Sequence, residues 1–133
     1  MRLRHQLTDF ENRYELNECA VADYDGRVSF GVEDTGRYGG IAVKTEQNIT
    51  VDCLNINGVL REIIAKEGMI DIVKIDTEGV EIATVKAMDV ELLKNIRHIF
   101  IEAHPVEKLL PSMFNQQQYG SICQFTNVSL VDA

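Results

Sequence analysis

The clearest hydrophobic pattern in the chain is a short apolar run that turns polar and then becomes helical. Residues 70–75 are largely β-branched, and their length suits a strand that is covered on both faces. A polar break follows at residues 76–79, and from Val80 the apolar positions recur at roughly helical spacing as far as Leu92. We therefore predict a strand, an acidic turn and a helix that ends at about Leu93.

The patterns before this segment alternate between helical and extended. Leu3, Leu7 and Phe10 have the spacing of an amphipathic helix. Extended stretches are predicted at 15–22, at 27–32 with Val28, Phe30 and Val32 on one face, and at 41–51. A second helix is predicted to place Ile56, Val59, Leu60, Ile63 and Ile64 on one side and to stop at Gly68.

The patterns after the central segment predict a strand, a helix and a hairpin. Residues 96–101 form a second apolar strand. Residues 106–114 carry the cleanest helical stripe, which Pro111 must kink or restart because proline lacks a backbone donor. Residues 121–125 and 128–131 predict a C-terminal antiparallel hairpin. This alternation of strands and helices is typical of an α/β fold.

Composition limits the partners that the chain can have. With 133 residues, of which 45% are hydrophobic, we expect a single domain over 1–133. Thirteen basic and 21 acidic residues give a net charge of -8, which argues against nucleic acid as a partner. No apolar run could span a bilayer, and Cys19, Cys53 and Cys123 lack CxxC spacing, so we expect no membrane partner and a cytoplasmic location.

Acids and a histidine follow two of the predicted strands. Asp76 and Glu78 come after the first, and Glu102 and His104 come after the second. If the two strands are parallel neighbours, their carboxyl ends share one edge of the sheet and these side chains come within reach of one another. A carboxylate beside an imidazole can take a proton from a hydroxyl, and two carboxylates with a histidine can hold a divalent cation. Either arrangement would serve group transfer to oxygen.

The same residues also have a purely structural interpretation. Asp76 or Thr77 can cap the following helix, with Glu78 and Glu81 in its first turn, where acids complement the positive end of the helix dipole. His104 can be an ordinary loop histidine. Both interpretations stay open at this point.

Lys74 interrupts an otherwise apolar strand. A buried ammonium group costs free energy unless it has a partner. We therefore expect Lys74 to meet an acid on a neighbouring strand or turn.

The string IDIVKIDTEGVE at residues 70–81 resembles the signature of FkbM-type methyltransferases, which is close to iDlvKiDvEGaE. Other blocks agree with that family in the same order along nearly the whole chain. Residues 17–22 resemble a family strand, residues 51–54 the lead into the next helix, and residues 100–104 an E-x-H strand end. One departure is Ala87, where the family usually has glycine.

The resemblance implies a transferase with a Rossmann-like class I methyltransferase fold and a mostly parallel sheet. It also implies S-adenosylmethionine as the methyl donor and a small-molecule hydroxyl, on a sugar or natural product, as the acceptor. The implied catalytic residues are Asp76, Glu78, Glu102 and His104, and the implied cofactor contacts are Ala20, Val21, Ala22 and Asp76. Asp76 and His104 are our predicted acid–base pair, and no residue is assigned to a metal.

The family's opening strand and glycine-rich turn have no counterpart in this sequence. The resemblance therefore implies a truncated domain that lacks the first βαβ unit and, with it, the main contacts to S-adenosylmethionine. Missing strands leave open sheet edges, which favour a homodimer through the exposed edge. Two functions stay open: a methyltransferase that is active only when the missing half is supplied, and a non-catalytic relative that dimerises or binds a partner.

Overall fold

In this computed structural model the described residues are 14–32, 47–77 and 79–130. The elements in these ranges are β1 (Ala20–Ala22), β2 (Gly26–Val32), β3 (Gln47–Asn55), α1 (Ile56–Glu67), β4 (Ile70–Ile75), α2 (Glu81–Lys86), α3 (Val90–Leu93), β5 (Ile96–Glu102), β6 (Phe114–Tyr119) and β7 (Ile122–Asn127). The helix predicted from Leu3, Leu7 and Phe10 lies outside the described residues, and so does Glu78. None of the helices within those ranges has the length and apolar character needed to cross a membrane.

β1, β2 and β3 form a small sheet in the order β1-β3-β2. β1 runs parallel to β3, and β2 runs antiparallel to it. Cys53 lies opposite Ala20 on one side and Gly26 on the other, and it packs in a small core with Ala22 and Val28. The strand predicted at 27–32 is confirmed, whereas only the last three residues of the stretch 15–22 are in a strand.

The second sheet has the order β4-β5-β7-β6. β4 and β5 are parallel, and β7 is antiparallel to both β5 and β6. The mixed α/β architecture and the C-terminal hairpin agree with the sequence-based expectation. Of the five strand pairings among the described residues, two are parallel and three are antiparallel, and the mostly parallel sheet stays a prediction.

The main core lies on one face of the four-stranded sheet. Ile101 is opposite Ile75 on one side and Cys123 on the other, and all three are buried. Ile99 and Phe125 continue this face and are fully buried. On the opposite face, Ile70 and Ile96 lie opposite each other at the start of β4 and β5 and are both buried. The next two rows on that face are Ile72–His98–Thr126 and Lys74–Phe100–Gln124, and no side chain in them is buried.

The predicted helix that stops at Gly68 is confirmed as α1. The Asn55 side chain accepts a hydrogen bond from the Asn57 N–H at 2.9 Å, which satisfies one of the free donors at the start of the helix. Gly68 ends the helix with a φ of 84°, and its N–H donates to the Ile64 carbonyl at 2.7 Å. A residue with a side chain would be strained at that φ, which is why glycine suits the position.

The helix predicted to continue to Leu93 is interrupted. α2 ends at Lys86, and α3 begins at Val90. The Asn57 side chain bridges the break, because its Nδ2 donates to the Ala87 carbonyl at 2.8 Å and its Oδ1 accepts from the Asp89 N–H at 2.8 Å. The backbone groups that a continuous helix would pair are therefore satisfied by a side chain of α1.

The helix predicted at residues 106–114 is wrong. Residues 103–113 are irregular, and β6 starts at Phe114. Gln116 of β6 fixes this segment, because its Nε2 donates to the Glu107 carbonyl at 3.0 Å and its Oε1 accepts from the Leu109 N–H at 3.0 Å. Leu109, Leu110 and Met113 of the segment pack partly against the core without forming a helix, whereas Val106 is fully exposed.

The hairpin lies earlier in the chain than its sequence pattern indicated. Its turn is at Gly120, with a φ of 58°, rather than around Asn127. Asn127 is fully buried at the end of β7, where its Nδ2 donates to the carbonyls of Leu93 at 3.2 Å and Ile96 at 3.0 Å. Its Oδ1 accepts from the Ser129 N–H at 3.0 Å. Asn127, which was expected in a turn, is therefore a buried residue that holds the end of β7 through hydrogen bonds.

Candidate active site at the carboxyl edge of the four-stranded sheet

The parallel pairing of β4 and β5 brings the two predicted strand ends together. Ile75, the last residue of β4, lies opposite Ile101. Asp76 and Glu102 are the next residues, so they occupy neighbouring positions at the carboxyl edge of the sheet. Ile122 lies opposite Glu102, which places the start of β7 at the same edge.

His104 is attached to this edge by the turn of the β6–β7 hairpin. Its Nε2 lies 3.0 Å from the Gly120 carbonyl oxygen. Because a carbonyl can only accept, Nε2 carries the proton, and in the neutral ring Nδ1 keeps the free lone pair. Gln118 supports the same turn, since its Nε2 donates to the carbonyls of Ala103 and Gly120 at 3.0 Å each. The imidazole is therefore oriented with a basic nitrogen directed away from its anchor.

Asp76, Glu102 and His104 are all exposed. Among the described residues no hydrogen bond or ion pair joins these three side chains, and no group of three or more His, Cys, Asp and Glu is arranged to hold a metal ion. Three of the four predicted catalytic residues thus lie along one accessible edge. Glu78, the fourth, lies outside the described residues.

Glu81 braces the turn that connects β4 to α2. Its carboxylate is buried, with 6% of the residue exposed, and accepts hydrogen bonds from the Thr77 hydroxyl at 2.9 Å, the Gly79 N–H at 2.7 Å and the Val80 N–H at 3.1 Å. Burial acts to raise the pKa of this carboxyl, but the hydrogen bonds outweigh it and the pKa is lowered. The structural interpretation is therefore supported for Glu81, whose carboxylate holds the turn.

Gly79 has a φ of 134° within this turn. Residues with a side chain rarely adopt that backbone conformation, although a Cβ added there would meet nothing within 4 Å. At the start of α2, the Thr84 hydroxyl donates to the Val80 carbonyl at 2.7 Å. The turn beside Asp76 is thus fixed by backbone geometry and by side chains on both sides of it.

The three residues predicted to approach the adenine differ in accessibility. Ala20 and Ala22 are 5% and 2% exposed and pack against Cys53 in the core of the three-stranded sheet. Val21 is half-buried and lines a cavity of about 300 Å³ between β1, α1 and β4. Of these three, only Val21 presents its side chain to an open space.

That cavity has aliphatic walls with one lysine among them. Val59 and Ile63 line it from α1, and Ile72 and Lys74 line it from β4. Lys74 is exposed, and no ion pair to it occurs among the described residues. The expectation that Lys74 would be buried is therefore wrong, because its face of β4 is uncovered in this part of the chain. The expected acid partner stays a prediction, since Glu78 of the adjoining turn lies outside the described residues.

Two contributors to the site were missed in the sequence. Gly120 and Gln118 position His104, and neither was assigned a role. The dipeptide Gly-Ser at residues 120–121 is a recognised two-residue hairpin signal, so the turn could have been found. No comparable signal marks Gln118, whose side chain connects the turn at Gly120 to Ala103, fifteen residues before Gln118.

Comparison with known proteins identifies the family of the chain. Residues 2–125 match the family model described as "Methyltransferase FkbM domain". Neither the curated proteins nor the solved structures contain a match to the chain.

Proposed function

The chain belongs to the FkbM methyltransferase family, and from that premise we propose that it methylates oxygen, taking the methyl group from S-adenosylmethionine. The acceptor in this proposal is the hydroxyl of a small molecule, such as a sugar or a natural product. The single observation that carries the proposal is the parallel register of β4 and β5, with Ile75 opposite Ile101. This register gathers Asp76, Glu102 and His104 along one edge, where open α/β sheets bind their ligands.

The chemistry requires a base for the acceptor hydroxyl. In our proposal Nδ1 of His104 would accept the proton of the acceptor hydroxyl, and bound S-adenosylmethionine would supply the methyl group that replaces this proton on the oxygen. The bond from Nε2 to the Gly120 carbonyl supports this assignment, since it leaves Nδ1 free and stabilises the ring once it is charged. Such a base contributes about 10²- to 10⁴-fold to a rate.

The charge of the edge suits the proposed donor. Bound S-adenosylmethionine supplies a methyl group on a positively charged sulfur. Asp76 and Glu102 are exposed and acidic, and the described part of the chain shows no ion pair to either of them. Two unpaired carboxylates favour a cationic ligand electrostatically. In this proposal Asp76 and Glu102 bind and orient the donor, and His104 faces the acceptor.

Calorimetry tests the donor part of the proposal. We expect the chain to bind S-adenosylmethionine with a dissociation constant below about 100 μM, equivalent to about -5.5 kcal/mol. Asp76→Asn should weaken binding, whereas Glu62→Gln, which removes an exposed acid of α1 remote from the edge, should not. Absence of heat for the unaltered chain, or equal binding by both variants, would contradict the proposed role of Asp76.

Methyl transfer tests the base. Donor labelled in its methyl group is incubated with a panel of monosaccharides and hydroxylated natural products, and label in the products is measured. His104→Ala should reduce transfer by about 10²- to 10⁴-fold. The matched control is His98→Ala, because His98 lies on a sheet face and contacts the Thr126 hydroxyl at 3.5 Å rather than the edge. Equal losses in both variants would remove His104 as the base.

A further inference from the structure

The turn that joins β4 to α2 is held by regular structure at both of its ends. On one side, Ile75 ends β4 and lies opposite Ile101 of β5, and both residues are buried. On the other side, α2 begins at Glu81 and anchors in the core through Thr84 and Val85, which are also buried. The positions at which the chain enters and leaves the turn are therefore set by the core.

A single oxygen atom of Glu81 ties the parts of this turn together. Its Oε1 accepts all three of the hydrogen bonds described above, from the Thr77 hydroxyl and from the N–H groups of Gly79 and Val80. Two of these donors adjoin α2, and the third comes from the β4 side of the turn. Hydrogen bonds to a charged acceptor are stronger than those to a neutral one. The carboxylate therefore links the end of β4 to the start of α2.

Thr77 connects the Glu81 carboxylate to Asp76. It follows Asp76 directly, so the two residues share a planar peptide group. Fixing Thr77 therefore restricts the backbone of Asp76 from its carboxyl side, and the register of Ile75 with β5 restricts it from the amino side. Asp76 itself is exposed. Its carboxylate is accessible to a ligand while its backbone is held on both sides.

We propose that Glu81 and Thr77 are positioning residues for Asp76, which they hold beside Glu102 at the carboxyl edge of the sheet. Neither of the two touches a ligand, and both act through the backbone of Asp76. The consequence for donor binding rests on the proposed function, in which Asp76 binds S-adenosylmethionine. A group that is held in place before the ligand arrives loses less freedom on binding, which raises the affinity.

NMR relaxation of the backbone amides tests the positioning without any ligand. The order parameter of the Asp76 N–H should fall from about 0.85, the value of a rigid backbone, to about 0.6 in Thr77→Val. This variant loses the hydroxyl but keeps the β-branched shape at a half-buried position. Thr77→Ser is the matched control, because it keeps the hydroxyl and should keep the order parameter. An order parameter that Thr77→Val leaves unchanged would overturn the proposal.

Glu81→Gln extends this test to the carboxylate, with circular dichroism to show that the variant is folded. It should lower the order parameter of Asp76 in the same way as Thr77→Val. Asn127→Ala controls for a general loss of stability, because it removes another buried polar side chain, at the end of β7 away from this edge. The order parameter of Asp76 should not change in that variant. Equal losses of order in both would overturn the proposal, since they would show a general loosening.

Calorimetry with S-adenosylmethionine tests the consequence for donor binding. If Asp76 is in place in about one molecule in five, the apparent dissociation constant rises about fivefold. We expect a rise of this order in Thr77→Val, no larger than that in Asp76→Asn, and none in Thr77→Ser. Because Thr77 acts only through Asp76, the double variant Asp76→Asn/Thr77→Val should bind as Asp76→Asn does. Additive losses would overturn the proposal.

The positioning role and the proposed function fail in different ways. If the unaltered chain does not bind S-adenosylmethionine, the donor part of the proposed function is contradicted, and the order parameter still decides whether Thr77 and Glu81 hold Asp76. If the unaltered chain and Thr77→Val bind the donor equally, the positioning role is overturned and the proposed function stands.

Discussion

β4 and β6 form the two edges of the same four-stranded sheet, but they differ in polarity and in what lies beside them. β6 carries three consecutive glutamines, two of which hold the irregular segment 103–113 against the sheet. β4 carries isoleucine and valine, and its outer side borders an apolar cavity. Polar residues and covering loops are common protections of a sheet edge. In the described residues, β6 is therefore covered through polar side-chain bonds, whereas β4 borders an apolar cavity.

The turn after β4 and the segment beside β6 are also stabilised by different kinds of side chain. The turn after β4 depends on one buried carboxylate, Glu81, with three donors. The β6 side depends on neutral amides, of which Asn127 is the most buried and Gln116 and Gln118 are nearer the surface. Stability at the β4 side should therefore respond to pH, whereas stability at the β6 side should not.

The largest effect is expected at Asn127. Asn127→Ala removes the donor to the carbonyls of Leu93 and Ile96 and leaves both without it in a buried site. We expect the free energy of unfolding to fall by about 3 kcal/mol, as measured by urea denaturation, because unpaired buried polar groups are costly. Asn115→Ala, an exposed change on β6, should alter it by less than about 0.5 kcal/mol. Similar losses in the two variants would show that Asn127 is not the anchor of this side.

A smaller and pH-dependent effect is expected at Glu81. Glu81→Gln should lower the free energy of unfolding by about 2 kcal/mol at pH 7, since hydrogen bonds to a charged acceptor are stronger than those to a neutral one. The pKa of Glu81 is lowered in the folded state, so its contribution is complete above the usual value near 4.5 and is lost as pH falls through the folded pKa. Urea denaturation across this range should show the two proteins converging in acid. A difference that stayed constant with pH would exclude the carboxylate as the brace.

The smallest effect is expected at Gln116. Gln116→Ala removes two hydrogen bonds to the segment 103–113, and we expect a loss of about 1 kcal/mol, because each such bond contributes modestly. The loss should be the same at pH 4 and pH 7, unlike that of Glu81→Gln. Hydrogen exchange should rise at the Leu109 N–H, which loses its acceptor. Unchanged exchange there would mean that the segment is held by packing alone.

The sequence predicted the β4 side better than the β6 side for a physical reason. Residues 70–75 and Gly68 carry local signals, namely a β-branched run and a glycine at a positive φ, and the structure confirms both. β6 has a polar sequence, and the apolar residues before it have helical spacing although they lie in an irregular segment. Hydrophobic spacing indicates which residues are buried, and in the segment 103–113 Leu109, Leu110 and Met113 are partly buried without forming a helix. The glutamine side chains that decide the outcome act over distances that no local pattern encodes.

The sequence likewise predicted one part of the candidate site and not another. Asp76 and Glu102 follow apolar strands, so the rule for parallel neighbours places them together, and the register agrees. The anchoring of His104 depends on Gly120, sixteen residues away, and on a hairpin whose position the pattern misjudged. The sequence pattern also did not show that Asp76 and Glu81 have different roles, because both are acids near one turn. Only burial in the structure distinguishes the exposed carboxylate of Asp76 from the buried carboxylate of Glu81, which holds the turn.

The buried position of Asn127 has a consequence for covalent modification. Asn127, Val128 and Ser129 form an N-x-S acceptor for N-linked sugars. In the folded protein the side-chain nitrogen that would carry the sugar is inside the core, where it donates to two carbonyls. A glycan could be attached only before the last strand docks, and once attached it would prevent docking. Folding and glycosylation at this asparagine are therefore mutually exclusive.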